Sequence, residues 1–226
     1  MRFDIITIFP EIFDSYLNES ILKRAQKKKL IKIKIYNVRD FSKDKHRSVD
    51  GKPYGGGAGM VQMAEPILRA VTKINSKLKI PNSKKKIIIL SAKGKQFNQK
   101  LAQKWAKLNQ LILISGRYEG IDERVKVALR AEEISIGPYV LTDGDAAIMV
   151  IISAVSRLIP GVIKYESLRD ESYTDEKLEY PQYTRPEVFI YKNKKYRVPK
   201  VLLSGNHRKI EKWRKEHKKI VSNKKK

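Results

Sequence analysis

The first 160 residues alternate between short apolar runs and apolar positions at helical spacing. Continuous or alternating apolar stretches predict strands at Phe3–Phe9, Ile31–Tyr36, Ile87–Leu90 and Leu111–Ser115, and the later pieces EISI and YVL are also strand-like. Between these strands, one helical face is formed by Ile67, Leu68, Val71, Ile74 and Leu78. Repeated strand and helix units of this kind predict an α/β domain with a mostly parallel sheet.

The apolar segment from Gly144 to Ile159 ends this alternation. It is apolar on almost all sides, which is typical of a helix buried in a core or in a subunit interface. Residues 162–186 are polar and include YPQYTRP, so we expect an interdomain linker there. The sequence therefore predicts an α/β domain over residues 1–161 and a small, basic, helical domain over residues 187–226, with a helix that begins near Asn206.

Composition limits the class of protein. The chain has 226 residues, of which 41% are hydrophobic, and no apolar run approaches the roughly 20 residues that a membrane helix requires. The absence of cysteine excludes disulfides, thiolate zinc sites and a cysteine nucleophile. We therefore expect a soluble, cytoplasmic protein that has no membrane partner.

The formal net charge of +25 is the strongest compositional signal. Such a charge favours a polyanionic partner, nucleic acid before anionic membrane. Because 35 of the 49 basic residues are Lys, A/T-rich codon usage is an equally good explanation of the total. The distribution of charge along the chain favours nucleic-acid binding more than the total charge does, since residues 188–226 carry 15 basic residues and 2 acidic ones. This C-terminal segment is the predicted contact surface for nucleic acid.

Glycine-containing loops carry the candidate chemistry. The segment Gly55–Gly59 lacks the lysine of a Walker loop and the spacing of a dinucleotide fingerprint, and the three histidines have no metal-ligand spacing. Three other loops follow predicted strands, at Ser91–Lys95, Gly116–Arg124 and Ser135–Asp145. Ligands bind at this edge of parallel sheets, so the three loops together predict a small-molecule site. The alternative is that each glycine serves turn geometry alone.

Six segments carry a family resemblance: PYGGGAGM, ISGRYEGIDERV, ISIGPYVL, VSRLIPGV, YTRPEVF and LLSGNH. In this order they resemble the bacterial tRNA (guanine-N1)-methyltransferase family of the SPOUT class, and the resemblance extends from IITIFPEIF to about Trp213. It implies methyl transfer from S-adenosylmethionine to N1 of guanosine 37 of tRNA, the nucleotide 3′ of the anticodon. It also implies a homodimer with its active site at the subunit interface. The implied fold is a SPOUT-type parallel sheet with a deep trefoil knot, followed by a helical tRNA-binding domain that is shortened in this chain.

The resemblance also implies roles for individual residues. Contacts with S-adenosylmethionine are implied for Leu90, Ser91, Gly116, Tyr118, Glu119, Gly120, Ile136, Gly137, Pro138, Tyr139, Val140, Leu141 and Gly144. Glu119 is further implied as a neighbour of a magnesium ion, so Mg²⁺ is a second expected cofactor. Contacts with RNA are implied for Asp50, Gly59, Arg185, Asn206 and His207.

Methylation of guanine N1 places two demands on the protein. N1 carries a proton at neutral pH, so a carboxylate has to remove it while a cation or donor stabilises the negative charge that develops at O6. Arg157 matches the family's arginine for the second role. The family's base is an Asp directly before Ser-Phe, whereas this chain reads Arg169-Asp170-Glu171-Ser172-Tyr173. Register favours Glu171 as the base and side-chain type favours Asp170, and in a third alternative both are solvated linker charges.

Two departures from the family pattern fall in the third loop. Asp143 stands where the family has glycine and Ala147 where it has proline, so we expect a softer loop and weaker cofactor binding.

Two other functions stay open: a SPOUT methyltransferase acting on another RNA base or on ribose, and a basic RNA-binding protein without catalysis. YTRPE and LSGNH argue against the first, and the second leaves the three loops and the buried helix unexplained.

Overall fold

The computed structural model describes residues 1–78, 80–164, 167–168, 171–173 and 177–220. The chain divides into two compact units, Met1–Ile163 and Lys164–Lys226. The division falls two residues after the predicted end of the α/β domain at residue 161.

Parallel strands form the centre of the first unit. The strands are β1 (Arg2–Thr7), β2 (Lys32–Asn37), β3 (Asp50–Gly51), β4 (Val61–Gln62), β5 (Lys85–Gln96), β6 (Gln110–Ile114) and β7 (Glu132–Ser135). Five of them make one parallel sheet in the order β2-β1-β6-β5-β7, and β3 pairs with β4 in an antiparallel hairpin. The predicted α/β architecture with a parallel sheet is confirmed.

Helices connect these strands. They are α1 (Asp14–Leu17), α2 (Ser20–Lys27), α3 (Ala64–Lys77), α4 (Gln99–Trp105), α5 (Glu123–Leu129) and α6 (Asp145–Ser156), with short 3-10 turns at Pro10–Phe13, Val38–Phe41 and Asn82–Lys84. Helix α6 is the predicted buried helix, and seven of its twelve residues are buried. Among the residues that the structure describes, no helix has both the length and the apolar character needed to cross a bilayer.

Both faces of the sheet are covered. Successive strand residues point to opposite faces, so on β6 Leu111 and Leu113 join one hydrophobic cluster whereas Ile112 and Ile114 join another. Residues of α4 and α6 complete the first cluster, and residues of α3 and α5 complete the second. A strand buried on both faces reads as a continuous apolar run, which explains the pattern of β6. The edge strand β2 instead alternates between exposed and more buried positions.

Two local expectations are wrong. Tyr139–Leu141 was expected as a strand, but it lies in the irregular loop between β7 and α6. There, the backbone N–H of Tyr139 donates to the carbonyl of Gly137 at 2.9 Å, which is a tight turn and not the extended backbone of a strand. Ser91–Lys95 was expected as a loop, but β5 runs through it to Gln96 with a shift in its pairing to β7.

The second unit contains strands as well as helices. Its described elements are β8 (Lys177–Leu178), β9 (Val188–Tyr191), β10 (Lys194–Arg197), α7 (Lys200–Leu203), α8 (His207–Glu216) and β11 (Lys219–Ile220). Strands β9 and β10 form an antiparallel hairpin, and β8 pairs with β11. The sequence pattern did not indicate this hairpin, and β8 lies inside the predicted linker. Helix α8 begins as predicted, because the Asn206 side chain accepts a hydrogen bond from the Lys209 N–H at 3.1 Å.

Candidate functional site

A cavity of about 430 Å³ lies in the first unit, between residues 89–93 of β5 and the loops that follow β6 and β7. Most residues with an implied cofactor contact line it: Leu90, Ser91, Gly116, Tyr118, Glu119, Gly120, Ile136, Tyr139, Val140, Leu141 and Gly144. Gly137 and Pro138 are not part of the lining. The structure therefore brings three segments that are distant in the sequence, one in β5 and two in loops, to the edge of a single cavity.

Close backbone packing holds these loops together. The Gly144 N–H donates to the Gly116 carbonyl at 2.8 Å. A Cβ at position 144 would lie 2.8 Å from the Gly116 nitrogen and 3.1 Å from the Leu90 Cβ, and a Cβ at position 116 would lie 2.9 Å from the Leu90 carbonyl oxygen. Neither glycine has a positive φ. Turn geometry therefore does not explain Gly116 and Gly144, which are needed for close approach.

A bulge in β5 supplies one wall of the cavity. Leu90 and Lys95 both align with Ile134 of β7, so the four residues between them are looped out of the ladder. Of these, Ser91, Ala92 and Lys93 line the cavity. A Cβ on Gly94 would lie 2.5 Å from the Glu133 backbone, so glycine allows β5 to return to β7.

The Tyr139 ring folds back over Gly137. A Cβ at position 137 would overlap this ring, and Gly137 itself is buried. The Ser135 hydroxyl donates to the Gly137 carbonyl at 2.8 Å and accepts from the Gly137 N–H at 3.2 Å. Glycine at this position thus lets Tyr139 pack where it lines the cavity. The implied cofactor contacts of Gly137 and Pro138 stay predictions.

The hairpin of β3 and β4 rests on the second loop of the cavity. Gln62, which is fully buried, donates its backbone N–H to the Gly120 carbonyl at 2.9 Å and accepts from the Arg117 N–H through its side-chain oxygen at 3.1 Å. Gly59 lies directly against the Glu119 carboxylate. The sequence gives no sign of this role of Gln62, since an isolated glutamine carries no recognisable signal.

Asp50 and Tyr118 are neighbours in the same region. Burial, and then the nearby Asp50 carboxylate, raise the pKa of the Tyr118 hydroxyl. Tyr118 has a left-handed backbone (φ 57°) and remains half-exposed at the cavity. Two residues with implied RNA contacts, Asp50 and Gly59, are thus adjacent to Tyr118 and Glu119, whose implied contacts are with the cofactor.

A buried ion pair that the sequence reasoning missed lies beside the cavity. The Asp145 side chain is fully buried and accepts from the Arg117 guanidinium at 2.7 Å and from the Thr7 hydroxyl at 2.7 Å. The Arg117 guanidinium also stacks on the Phe9 ring, 4.4 Å from its centroid. A buried carboxylate requires partners of this kind, because an unpaired buried charge is strongly destabilising. Arg117 and Asp145 are 28 positions apart in the sequence, which gives no signal of the pairing.

Asp143 stabilises the start of α6. Its Oδ1 accepts the backbone N–H of Asp145 at 2.9 Å and of Ala146 at 3.2 Å, and a second oxygen lies 3.5 Å from the Arg117 guanidinium. Asp143 is not in the left-handed region, so a glycine is not required there. Ala147 is buried and lines the cavity. The aspartate therefore gives the helix a capping side chain that a glycine cannot supply.

The candidate catalytic residues lie in different units. Arg157 ends α6 in the first unit, and Glu171 belongs to the second. Asp170 lies outside the described residues. Next to Glu171, the backbone N–H of Ser172 donates to the Glu179 carboxylate at 3.1 Å, and the Glu179 N–H donates to the Ser172 hydroxyl at 3.1 Å.

The remaining implied RNA contacts, Arg185, Asn206 and His207, are exposed residues of the second unit. Asn206 also caps α8, so its side-chain oxygen already accepts a hydrogen bond. For the implied magnesium ion, no group of three or more His, Asp or Glu side chains in the described part of the chain is arranged to hold a metal.

This chain is similar to known proteins over its whole length. The profile of the family described as tRNA (Guanine-1)-methyltransferase TrmD matches residues 1–226. A tRNA (guanine-N(1)-)-methyltransferase of Thermomicrobium roseum is 55% identical over 214 residues, which cover 95% of this chain and 77% of the relative. Proteins of the same name from Carboxydothermus hydrogenoformans and Clostridioides difficile are 52% and 50% identical over 217 residues, covering 96% of this chain and 82% and 91% of the relatives. The chain belongs to the tRNA (guanine-1)-methyltransferase family.

Proposed function

We propose that this chain transfers a methyl group from S-adenosylmethionine to N1 of guanosine 37 in tRNA. The observation that carries the proposal is the cavity between β5 and the loops after β6 and β7, which is lined by most of the residues with implied cofactor contacts. Its position agrees with the general location of ligands in parallel α/β sheets. The family membership of the whole chain supports the same reaction.

The cavity is suited to S-adenosylmethionine in size and in chemistry. Its volume of about 430 Å³ lies within the range of about 300–1,000 Å³ that is common for small-molecule sites. Leu90, Ile136 and Leu141 provide apolar walls, and the close approach at Gly116 and Gly144 leaves main-chain groups at the cavity edge. When bound, S-adenosylmethionine supplies the electrophilic methyl group.

The protein has to make guanine N1 nucleophilic. We propose that Glu171 accepts the N1 proton and that Arg157 stabilises the negative charge that develops at O6. Glu171 directly precedes Ser172, whose hydrogen bonds with Glu179 shape the backbone after the carboxylate. Asp170 is the alternative base, because its side-chain type matches the aspartate of the family. Its position is one residue too early, which is why Glu171 is preferred.

Single-turnover methyl transfer to tRNA with guanosine at position 37 tests these roles. A general base is worth about 10²- to 10⁴-fold, so we expect a loss of this size in Glu171→Gln and a large loss in Arg157→Ala. Glu187→Gln is the matched control, since Glu187 is an exposed acid of the same unit. A large loss in Asp170→Asn with little effect of Glu171→Gln would make Asp170 the base. If neither variant loses rate, the proton leaves by another route and the proposed mechanism fails.

The family resemblance supports four further parts of the proposal: a trefoil-knotted first unit, a homodimer with its active site at the subunit interface, tRNA binding by the second unit, and a cytoplasmic location. Exposed apolar side chains on the first unit, Phe9, Ile12 and Tyr16, suit a subunit contact. Sedimentation equilibrium tests the dimer. We also propose Glu119 as a magnesium contact, for which magnesium titration of the parent and of Glu119→Gln is the test.

Two measurements separate this function from the alternatives. Calorimetry with S-adenosylmethionine distinguishes a methyltransferase from a basic RNA-binding protein, which would release no heat of binding. Mapping of the methylated nucleotide in transcribed tRNA distinguishes N1 of guanosine 37 from another base or a ribose. Methylation at any other position would contradict the proposal.

A further inference from the structure

The hairpin of β9 and β10 has a regular backbone. Its strands pair in antiparallel register over four residues each, and Lys192 and Asn193 connect them. Both connecting residues have positive φ values, 47° and 58°, as in the tight two-residue turns that match the twist of a hairpin. The positions of the side chains on this hairpin are therefore well defined by its backbone.

One face of this hairpin is aromatic and exposed to solvent. Phe189 and Tyr196 are direct partners across the strands, and their rings stack with centroids 5.1 Å apart and planes 12° apart. Phe189 remains 53% exposed and Tyr196 40% exposed. Tyr191, which is 57% exposed, lies on the same face because it is two residues from Phe189. Phe189 and Tyr196 therefore stack on each other and still leave about half of each side chain exposed to solvent.

The same hairpin is strongly basic. Residues 188–200 contain five cations, Lys192, Lys194, Lys195, Arg197 and Lys200, and no acidic residue. The Lys192 ammonium lies 5.5 Å from the centroid of the Tyr191 ring, and the Lys194 ammonium lies 5.8 Å from that of Tyr196. A second copy of this surface would be repelled by its own charge, whereas a polyanion would be attracted. Exposed aromatic rings among cations are the combination by which proteins bind unpaired nucleotides.

We propose that the aromatic face of the hairpin, formed by Phe189, Tyr191 and Tyr196, stacks against an unpaired base of the substrate tRNA. The inference rests on the proposed function, because it takes tRNA as the partner. Unpaired bases of RNA loops can turn outward and stack on aromatic side chains, which bases within a duplex cannot do. The surrounding lysines then contact neighbouring phosphates. The hairpin would contribute stacking in addition to the electrostatic attraction of the basic C-terminal segment.

Equilibrium binding of the full-length protein to unmodified tRNA tests the proposal. Stacking of one base corresponds to about a 5- to 150-fold change in affinity, which is the expected loss in Phe189→Ala and in Tyr196→Ala. Phe189→Trp retains a stacking surface and is expected to restore binding. Ile190→Ala is the matched control, since Ile190 is 65% exposed on the opposite face of the same strand.

Salt dependence distinguishes stacking from phosphate contacts. The slope of log affinity against log salt is expected to stay unchanged in Phe189→Ala, because no counterion is released by stacking. In Lys194→Gln, which removes a cation on the aromatic face itself, the slope is expected to fall by about one phosphate contact. A reduced slope in Phe189→Ala would mean that the ring acts through the neighbouring cations, and would overturn the proposal.

Further outcomes would overturn it. Affinities of Phe189→Ala and Tyr196→Ala within about twofold of the parent would exclude stacking, given its usual size. An equal loss of tRNA affinity in Ile190→Ala would indicate that binding depends on the folded hairpin and not on its aromatic face. A change of oligomeric mass in Tyr196→Ala would indicate that the aromatic face contacts a second copy of the chain. The binding assay requires no methyl transfer. A parent protein that binds tRNA without methylating it would therefore refute the proposed function and leave the hairpin proposal standing.

Discussion

An added methyl group at position 144 is expected to separate the loops that form the cavity. In Gly144→Ala the new Cβ would lie 2.8 Å from the Gly116 nitrogen, whereas ordinary contacts begin near 3.4 Å. The neighbouring backbone would have to move by about 0.6 Å, and no side-chain rotation relieves a contact with main chain. The substitution would also strain the hydrogen bond from the Gly144 N–H to the Gly116 carbonyl.

The expected magnitude follows from these two effects. Overpacking of a tight site costs about 1–3 kcal/mol, and weakening one hydrogen bond costs about 1 kcal/mol. We therefore expect the free energy of unfolding of Gly144→Ala to fall by about 2–4 kcal/mol. S-adenosylmethionine at 100 times its dissociation constant stabilises the parent by about 2.7 kcal/mol, and a 100-fold weaker variant would gain about 0.4 kcal/mol at the same concentration.

Urea unfolding followed by circular dichroism, with and without S-adenosylmethionine, measures both quantities. Gly51→Ala is the control, because a Cβ there would meet only the flexible end of Met63 at 3.4 Å. An unfolding midpoint equal to that of the parent, together with the full stabilisation by the ligand, would refute the reasoning. Loss of stability with the ligand effect intact would mean that the cofactor does not depend on the contact between Gly116 and Gly144.

Three other predictions concern the loops around the cavity. Asp143→Ala removes the acceptor for two backbone N–H groups at the start of α6, so we expect the free energy of unfolding in urea to fall by about 1 kcal/mol. Asp143→Asn keeps an acceptor oxygen and should largely avoid this loss. Gly137→Val would displace the Tyr139 ring from the cavity, so calorimetry should show weaker S-adenosylmethionine binding, and equal affinity would contradict this packing. The hydrogen bond from Arg124 lowers the pKa of the Asp122 carboxyl in the folded protein. Below about pH 4 the unfolded chain therefore binds more protons than the folded one. The free energy of unfolding falls as the pH decreases through the lowered pKa. Asp122→Asn keeps a capping side chain and should flatten this loss between about pH 5 and 3 in urea unfolding, whereas identical acid profiles would refute the assignment.

The aromatic hairpin and the paired loops differ in how far the sequence reveals them. Phe189 and Tyr196 are each recognisable as aromatic, but their stacking depends on a register that the turn at Lys192 and Asn193 sets. Both turn residues have positive φ, but neither is a glycine. Glycine in the turn is the usual sequence signal of such a hairpin. The segment therefore reads as a Lys-rich loop until the backbone is known.

The sequence by itself determined the strands β1, β5 and β6, the buried helix α6 and the two loops after β6 and β7 that carry the family's motifs. These features follow from local patterns, because burial on two faces imposes continuous apolar runs and a helix imposes its own period. The tertiary structure decided which loop residues touch. Thr7 bonds to Asp145 across 138 positions, and Gly116 meets Gly144 through main-chain atoms that are the same in every residue. Such contacts depend on how the strands pack, a property that no local pattern of side chains encodes.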